Sequence, residues 1–357
     1  MNMKYLWGLT ALLLTLTTAS ANDGVYYVNG SLLVPIHETD IAVKKEILTI
    51  NLCDDGMAHV TVDYEFMNNG TAKTVDMGFE AAPPYNTGDK LKRQGGHPYI
   101  KAFTIVMNGE NLTYTNMLTV SGQLNTPYTG TGFLEDGDIP DHYSYVYRFK
   151  THFKPGINTV RHTYQYQMSF GVGRTFEVPY WLTPATRWAN RQIDDFTLRI
   201  GAPNTAKHFM MADSLFNASE FRIIEGKGKI RHRKIWGDTD FVEVTLRNGT
   251  VEWHAKNFKP ETDITIVSAD GFTDWDKQPV FGTFYDRSDT YTIWPMETKV
   301  DKRIARNIPY AHRGYVFKDA ALKKYFSQFW WYMPDPSYVP SQKDFTPRER
   351  RLVEKGE

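Results

Sequence analysis

The 357-residue chain has one cysteine, Cys53, so it can close no internal disulfide and its fold has to rest on its core alone. It carries no net charge, with 41 basic against 41 acidic residues, and lacks the strongly basic balance of a nucleic-acid binder. After residue 21 no apolar run reaches the roughly 18 residues needed to span a bilayer. Strong helical periodicity is absent before residue 300. Catalytic signatures are absent too. His37-Glu38-Thr39-Asp40 starts like a zinc-protease motif, but Ile41 stands where the second histidine is required. No G-x-S-x-G elbow occurs, Gly171 and Gly173 are too few for a phosphate cradle, and no cofactor is expected. Cys53, in an apolar alternation beside the turn Asp54-Asp55-Gly56, reads as a small buried hydrophobe rather than a nucleophile.

What is present begins with an address. Lys4, the apolar stretch "YLWGLTALLLTLTT" and Ala19-Ser20-Ala21 form a cleavable signal peptide over residues 1–21, with the cut before Asn22. A secreted or periplasmic protein of a bacterial cell envelope is expected, with no transmembrane segment after cleavage. Aromatic residues make up 14% of the chain and charged residues 23%, a composition that folds.

From residue 22 to about 285 the period is two. Val60, Val62, Tyr64 and Phe66 alternate with polar residues, and after "MNNGTAK" Val75, Met77 and Phe79 resume the pattern, which predicts a hairpin with one buried face. Tyr143 to Phe149, Val160 to Met168 and Phe196 to Ile200 repeat it. Asn248-Gly249 and Asn108-Gly109 are tight-turn signals, since the favoured hairpin turn needs positive φ at both positions. The expected architecture is mainly β: an antiparallel β-sandwich body, in one or two domains over 22–285, a linker at 286–300, and a small α-helical module at 301–357.

The module carries the charge asymmetry. Residues 301–357 hold 12 Lys and Arg against 7 Asp and Glu, and the rest of the chain balances this surplus. Leu322, Tyr325, Phe326, Phe329 and Trp330 follow helical spacing, with Lys323 and Lys324 toward water. Thr346-Pro347-Arg348-Glu349 is a helix start with a capping box. Within "IARNIPYAHRGYVF" a helix is expected to break or kink at Pro309, restart for one turn and stop at Gly314 in a left-handed conformation. Arg306, Asn307, Tyr310, His312 and Arg313 crowd this corner and are the candidate binding residues. They can fasten a module with little core of its own, or Arg306, His312 and Arg313 can form an anion pocket. A weaker candidate is a Ca²⁺ site from Glu135, Asp136, Asp138 and Asp141 in the acidic loop "EDGDIPDH".

Residues 303 to 355, through "IARN", Tyr310-Ala311-His312-Arg313-Gly314, "GYVF", "LKKYFSQFWWYMP" and "FTPRERRLV", resemble the YARHG domain, a small extracellular bacterial module. The order of the basic pair is inverted relative to the family's name. Residues 22 to about 280, through "NDGVYYVNGSLLVPIHETDIAVKKEILTI", "VDYEFMNNG" and "FKPGINTVRHTYQYQ", resemble an exported bacterial domain family without an assigned function. Together they imply an exported, β-rich protein and no particular reaction. The expected function is non-enzymatic binding of a cell-wall polymer, glycan or envelope protein. One alternative is a glycan or peptide hydrolase using acids such as Glu38, Asp40, Asp136 and Asp138. Another is a folding or assembly factor that receives a client strand on an open sheet edge.

Overall fold

A computed structural model describes residues 30–355, apart from 32, 37–39, 86–90, 93–94, 130–132, 135–142, 172–173, 204, 217–219, 236–238, 270–281, 286–290 and 295–297. The body is mainly β, with short 3-10 turns at Thr183–Arg187 and Asp213–Leu215. A curled thirteen-stranded sheet runs in the order Gly30–Ser31, Arg174–Trp181, Ile264–Ser268, Lys207–Ala212, Thr239–Phe258, Ile193–Ala202, Ala42–Leu52, Met57–Asn68, Gly156–Gln167, Ile100–Met107 and Glu110–Asn111. Ser169–Gly171 pairs alongside Arg174–Trp181, and Arg222–Ile235 lies along the second edge of Thr239–Phe258. A five-stranded sheet runs Gln123–Pro127, Thr115–Val120, Tyr143–Phe153, Lys73–Ala81 and Leu33–Pro35. Pairings are antiparallel except for Gly30–Ser31 with Arg174–Trp181 and Ala42–Leu52 with Ile193–Ala202.

The two sheets close on one apolar core. Met57–Asn68 buries every second residue, including Val60, Val62, Tyr64 and Phe66, as period-two alternation requires. Phe66 meets Phe153 edge-on at 5.7 Å between ring centroids, and Phe79 meets Tyr164 at 4.8 Å, so rings from opposite sheets fill the interior. Trp188 packs 4.5 Å from Phe66 and donates its indole N–H to the Leu33 carbonyl.

Two local expectations are corrected by the pairing. Met57–Asn68 and Lys73–Ala81 are not a hairpin: the first pairs with Ala42–Leu52 and Gly156–Gln167, the second with Tyr143–Phe153 and Leu33–Pro35. Their apolar faces meet across the sandwich, and residues 69–72 carry the chain from one layer to the other. Asn248-Gly249 does not end a strand either. Asn248 takes the anticipated positive φ of 45°, but it lies inside the single strand Thr239–Phe258. Residues before it pair with Lys207–Ala212 and residues after it with Ile193–Ala202. The pair is a bend where the strand changes partners, and a Cβ on Gly249 would overlap the Glu225 carbonyl. Asn108-Gly109 does make its tight turn, with φ of 50° and 87° between Ile100–Met107 and Glu110–Asn111.

Three α-helices occur among the described residues, all in the last sixty. Helix α1 (Lys299–His312) starts at a Thr298/Asp301 capping box and runs through Pro309 without a break. This corrects the expected interruption. The missing donor of Pro309 falls in the last turn, and burial of Ile304, Ala305, Ile308, Pro309 and Ala311 outweighs it. Gly314, at φ +82°, ends the segment in the left-handed region as expected. Helix α2 (Ala320–Ser327) is capped by Asp319, and α3 (Pro347–Lys355) by the Thr346/Glu349 box, in which each group bonds the other's backbone N–H. Together they bury a second, separate core that includes Ile304, Ile308, Phe317, Leu322, Phe326 and Leu352.

Candidate functional site

The five corner residues have different environments. Arg313, 8% exposed, directs its fork at Glu349, with Nη1 at 2.7 Å from Oε1 and Nη2 at 2.9 Å from Oε2. Nη1 also donates to the Pro309 carbonyl at 3.0 Å, and the guanidinium lies 4.6 Å from the Phe345 ring centroid. Burial works against this cation, but the Glu349 hydrogen bonds and charge outweigh it and raise its pKa. Glu349 thus receives Arg313 and the Thr346 N–H together, joining the end of α1 to the start of α3. His312 packs edge-on against Trp331 at 4.9 Å, and burial holds its imidazole down at about 4. Asn307 donates back to the Arg303 carbonyl, and Tyr310 packs against Phe345 at 4.9 Å. Arg306 is on the exposed side of α1. Glu135, Asp136, Asp138 and Asp141 lie outside the described residues.

The corner is docked against the body. Arg247, 5% exposed on the long strand Thr239–Phe258, donates to the Met333 carbonyl at 2.8 Å and to Asp335 at 3.1 Å. Lys227 meets Asp335 at 2.8 Å. Lys229 donates to the carbonyls of Trp330 and Tyr332, and Thr245 to that of Trp331. Arg231 lies 4.3 Å from the Trp330 ring centroid. These body residues project from two neighbouring strands into the irregular stretch after α2, whose carbonyls have no helical partners. A Cβ on Gly314 would overlap both the Arg247 guanidinium and the Met333 carbonyl, so this glycine is required by space as well as by φ.

Beneath Trp330 lies a charged cluster. Glu243 is fully buried and accepts from His208 at 2.6 Å, Arg231 at 2.6 Å and Arg233 at 3.4 Å. Burial alone would raise its pKa; the His208 and Arg231 hydrogen bonds reverse this and hold it at about 2. On the near side, Asp54 accepts from Thr205 and Lys207.

A second set of polar groups lies inside the sandwich. Glu46 has no exposed surface, and neither carboxyl oxygen has a hydrogen-bond partner among the described residues. It stands beside Tyr64 and Phe196 in the strand register. The hydroxyls of Tyr164 and Tyr180 and both ring nitrogens of His162 are likewise unpartnered among the described residues. Desolvation pushes the Glu46 pKa well above the carboxylate range and holds His162 at about 3. Sequence reasoning passed over Glu46, although it is in phase with the inward Leu48, Ile50 and Leu52.

Fold and seam define a β-rich body carrying a docked helical module. Residues 297–356 match the YARHG domain family, so the C-terminal module is a YARHG domain. No curated protein matches the chain. Among solved structures, a Legionella pneumophila protein described as a candidate nutrient binding protein superposes with a TM-score of 0.51 at 18% identity, covering 93% of this chain and 98% of that one. At that identity the likeness is one of fold. An M1 zinc metallopeptidase from Deinococcus radiodurans (TM-score 0.25, 8% identity, 66% of this chain and 43% of that one) and baculovirus P35 (0.27, 10%, 66% and 99%) are also matched. No helix among the described residues is long and apolar enough to cross a membrane.

Proposed function

We propose that this is an exported, non-enzymatic cell-envelope protein that binds an anionic cell-wall polymer, with a glycan or an envelope protein as the other partners of the same class. The observation that carries the reading is the distribution of cations in the YARHG domain. Arg313 and Arg247 are spent inside the fold on Glu349, Asp335 and backbone carbonyls. Lys302, Arg303, Arg306, Lys318, Lys323 and Lys324 are exposed on α1, on α2 and just before α2. The Arg303 to Asp319 ion pair at 2.7 Å brings α1 and the start of α2 together, so exposed cations of both helices stand on neighbouring segments. The description of the Legionella relative as a binding protein agrees with a binding role.

The other readings find less support. Among the described residues Asp40 is exposed and paired with Lys73 rather than with a second acid, and Glu38, Asp136 and Asp138 lie outside the described residues. Strand addition would use the outer edge of Arg222–Ile235. That strand is irregular near Glu225, and its Lys227 and Lys229 are already engaged by the YARHG domain, features that oppose pairing with a client strand.

The test is co-sedimentation of the chain from Asn22 onward with purified cell-wall sacculi, beside Lys302→Glu/Lys323→Glu/Lys324→Glu. These positions are exposed, so the variant should keep the parent melting curve. Pelleting of the parent that weakens with salt and is lost in the variant supports the reading. Pelleting unaffected by charge reversal, or none at all, sinks it.

A further inference from the structure

The turn between Ala42–Leu52 and Met57–Asn68 brings three different donor types together. The Cys53 sulfur, an Asp55 carboxylate oxygen and a His59 ring nitrogen all lie within 4.8 Å of one another. A tetrahedral ion with bonds of roughly 2.0 to 2.3 Å would set its donors about 3.3 to 3.8 Å apart, a closure that side-chain rotation supplies.

Three details of the backbone pre-arrange the group. Cys53 N–H donates to the Met57 carbonyl at 3.0 Å, which closes the turn, and Gly56 takes the φ of +79° that it needs. Asp55 Oδ1 accepts the Met57 N–H at 3.0 Å, leaving Oδ2 as the atom that faces His59 Nε2 at 3.9 Å. His59 pairs with Asn51 in the strand register, on the same outward face of the ladder as Cys53. An independent observation points to a ligand. The His59 side chain is 38% exposed, but its Nε2 is itself covered and has no hydrogen-bond partner among the described residues, its approach to Asp55 being too long for one.

We propose that Cys53, Asp55 and His59 form a binding site for a borderline-soft divalent transition-metal ion of the Zn²⁺ class, with solvent in the remaining position. A thiolate, a carboxylate and an imidazole are the donor set for such an ion, and the sulfur excludes Ca²⁺ and Mg²⁺ as preferred occupants. Asp54 is not part of the set, because its carboxylate is held by Thr205 and Lys207. The site lies on the same turn as Asp54, and none of its three donors belongs to the YARHG domain, so it does not depend on the polymer-binding reading.

Cys53 is the only cysteine in the chain, which makes the experiment specific. The reduced protein from Asn22 onward is titrated with Co²⁺ and then Zn²⁺. One equivalent of Co²⁺ should produce a near-ultraviolet thiolate-to-metal absorption band, which Zn²⁺ should then abolish by displacement. Cys53→Ser should remove the band. Asp55→Asn, which keeps the acceptor for the Met57 N–H, and His59→Ala should each weaken Co²⁺ binding about tenfold or more. Absence of the band in the parent protein overturns the site, whatever the folding of the variants. A band unchanged in affinity in both Asp55→Asn and His59→Ala also overturns it, since the ion would then be held by the thiolate alone.

Discussion

Two buried carboxyl groups in this protein are in opposite situations, one ionised and one neutral. Glu243 is ionised and held by His208, Arg231 and Arg233, with a folded pKa of about 2 against an ordinary value near 4.5. A carboxylate with a depressed folded pKa stabilises the fold above its unfolded value and loses that contribution as pH falls toward about 2. The contribution is about 3 kcal/mol, so Glu243→Gln should flatten the acid limb of a stability-against-pH curve from chemical denaturation between about pH 5 and pH 2. Glu46 works the other way, because its folded pKa is raised by desolvation. Its unfolded form ionises first as pH rises, so it withdraws stability progressively above the ordinary carboxylate pKa. Glu46→Gln should therefore raise the unfolding midpoint more at pH 8 than at pH 5. An equal change at both values would mean that the buried carboxyl is not neutral. Gly314 is constrained twice, by φ and by Arg247, and Gly314→Ala should cost about 2 kcal/mol or more. Gly314→Asn, which tolerates the φ alone, should not restore the midpoint.

At the scale of elements, the YARHG domain is tied by the contact of the α1 end with the α3 start. The Arg313 and Glu349 pair is buried and bidentate, and breaking one partner leaves the other charge without compensation. Glu349→Gln should destabilise the protein by about 3 kcal/mol, more than the roughly 1 kcal/mol expected for Thr346→Ala, which removes only the cap. Denaturant midpoints would rank them. The reverse order would mean that the ion pair is expendable and the cap alone holds α3.

For the whole molecule, the seam decides cooperativity. The YARHG domain has its own small core, separate from that of the body, and the two meet through Arg247, Lys227, Lys229, Thr245 and Arg231. Full-length protein should unfold in one calorimetric transition. Arg247→Ala should split it into two. A single transition in that variant would mean the other seam contacts suffice.

The strands, their inward faces, the caps at Thr346 and the stop at Gly314 were legible in the sequence because each depends on residues a few positions apart. The same holds for the change of period that marks the C-terminal helices. What only the tertiary structure decided is partnership. Asn248-Gly249 has the local chemistry of a turn, yet each flank finds better partners in Lys207–Ala212 and Ile193–Ala202, and the strand runs on. Pro309 weakens a helix locally, and burial of its neighbours keeps that helix whole. Arg313 and Arg306 look alike in sequence, but one is consumed by Glu349 and the other stays on the surface. Cys53 and His59 come together only when the ladder sets them on one face. Periodicity and turn chemistry are short-range and written in order along the chain. Who faces whom is settled by the long-range competition to bury apolar surface and satisfy polar groups, and it exists only once the sheets close.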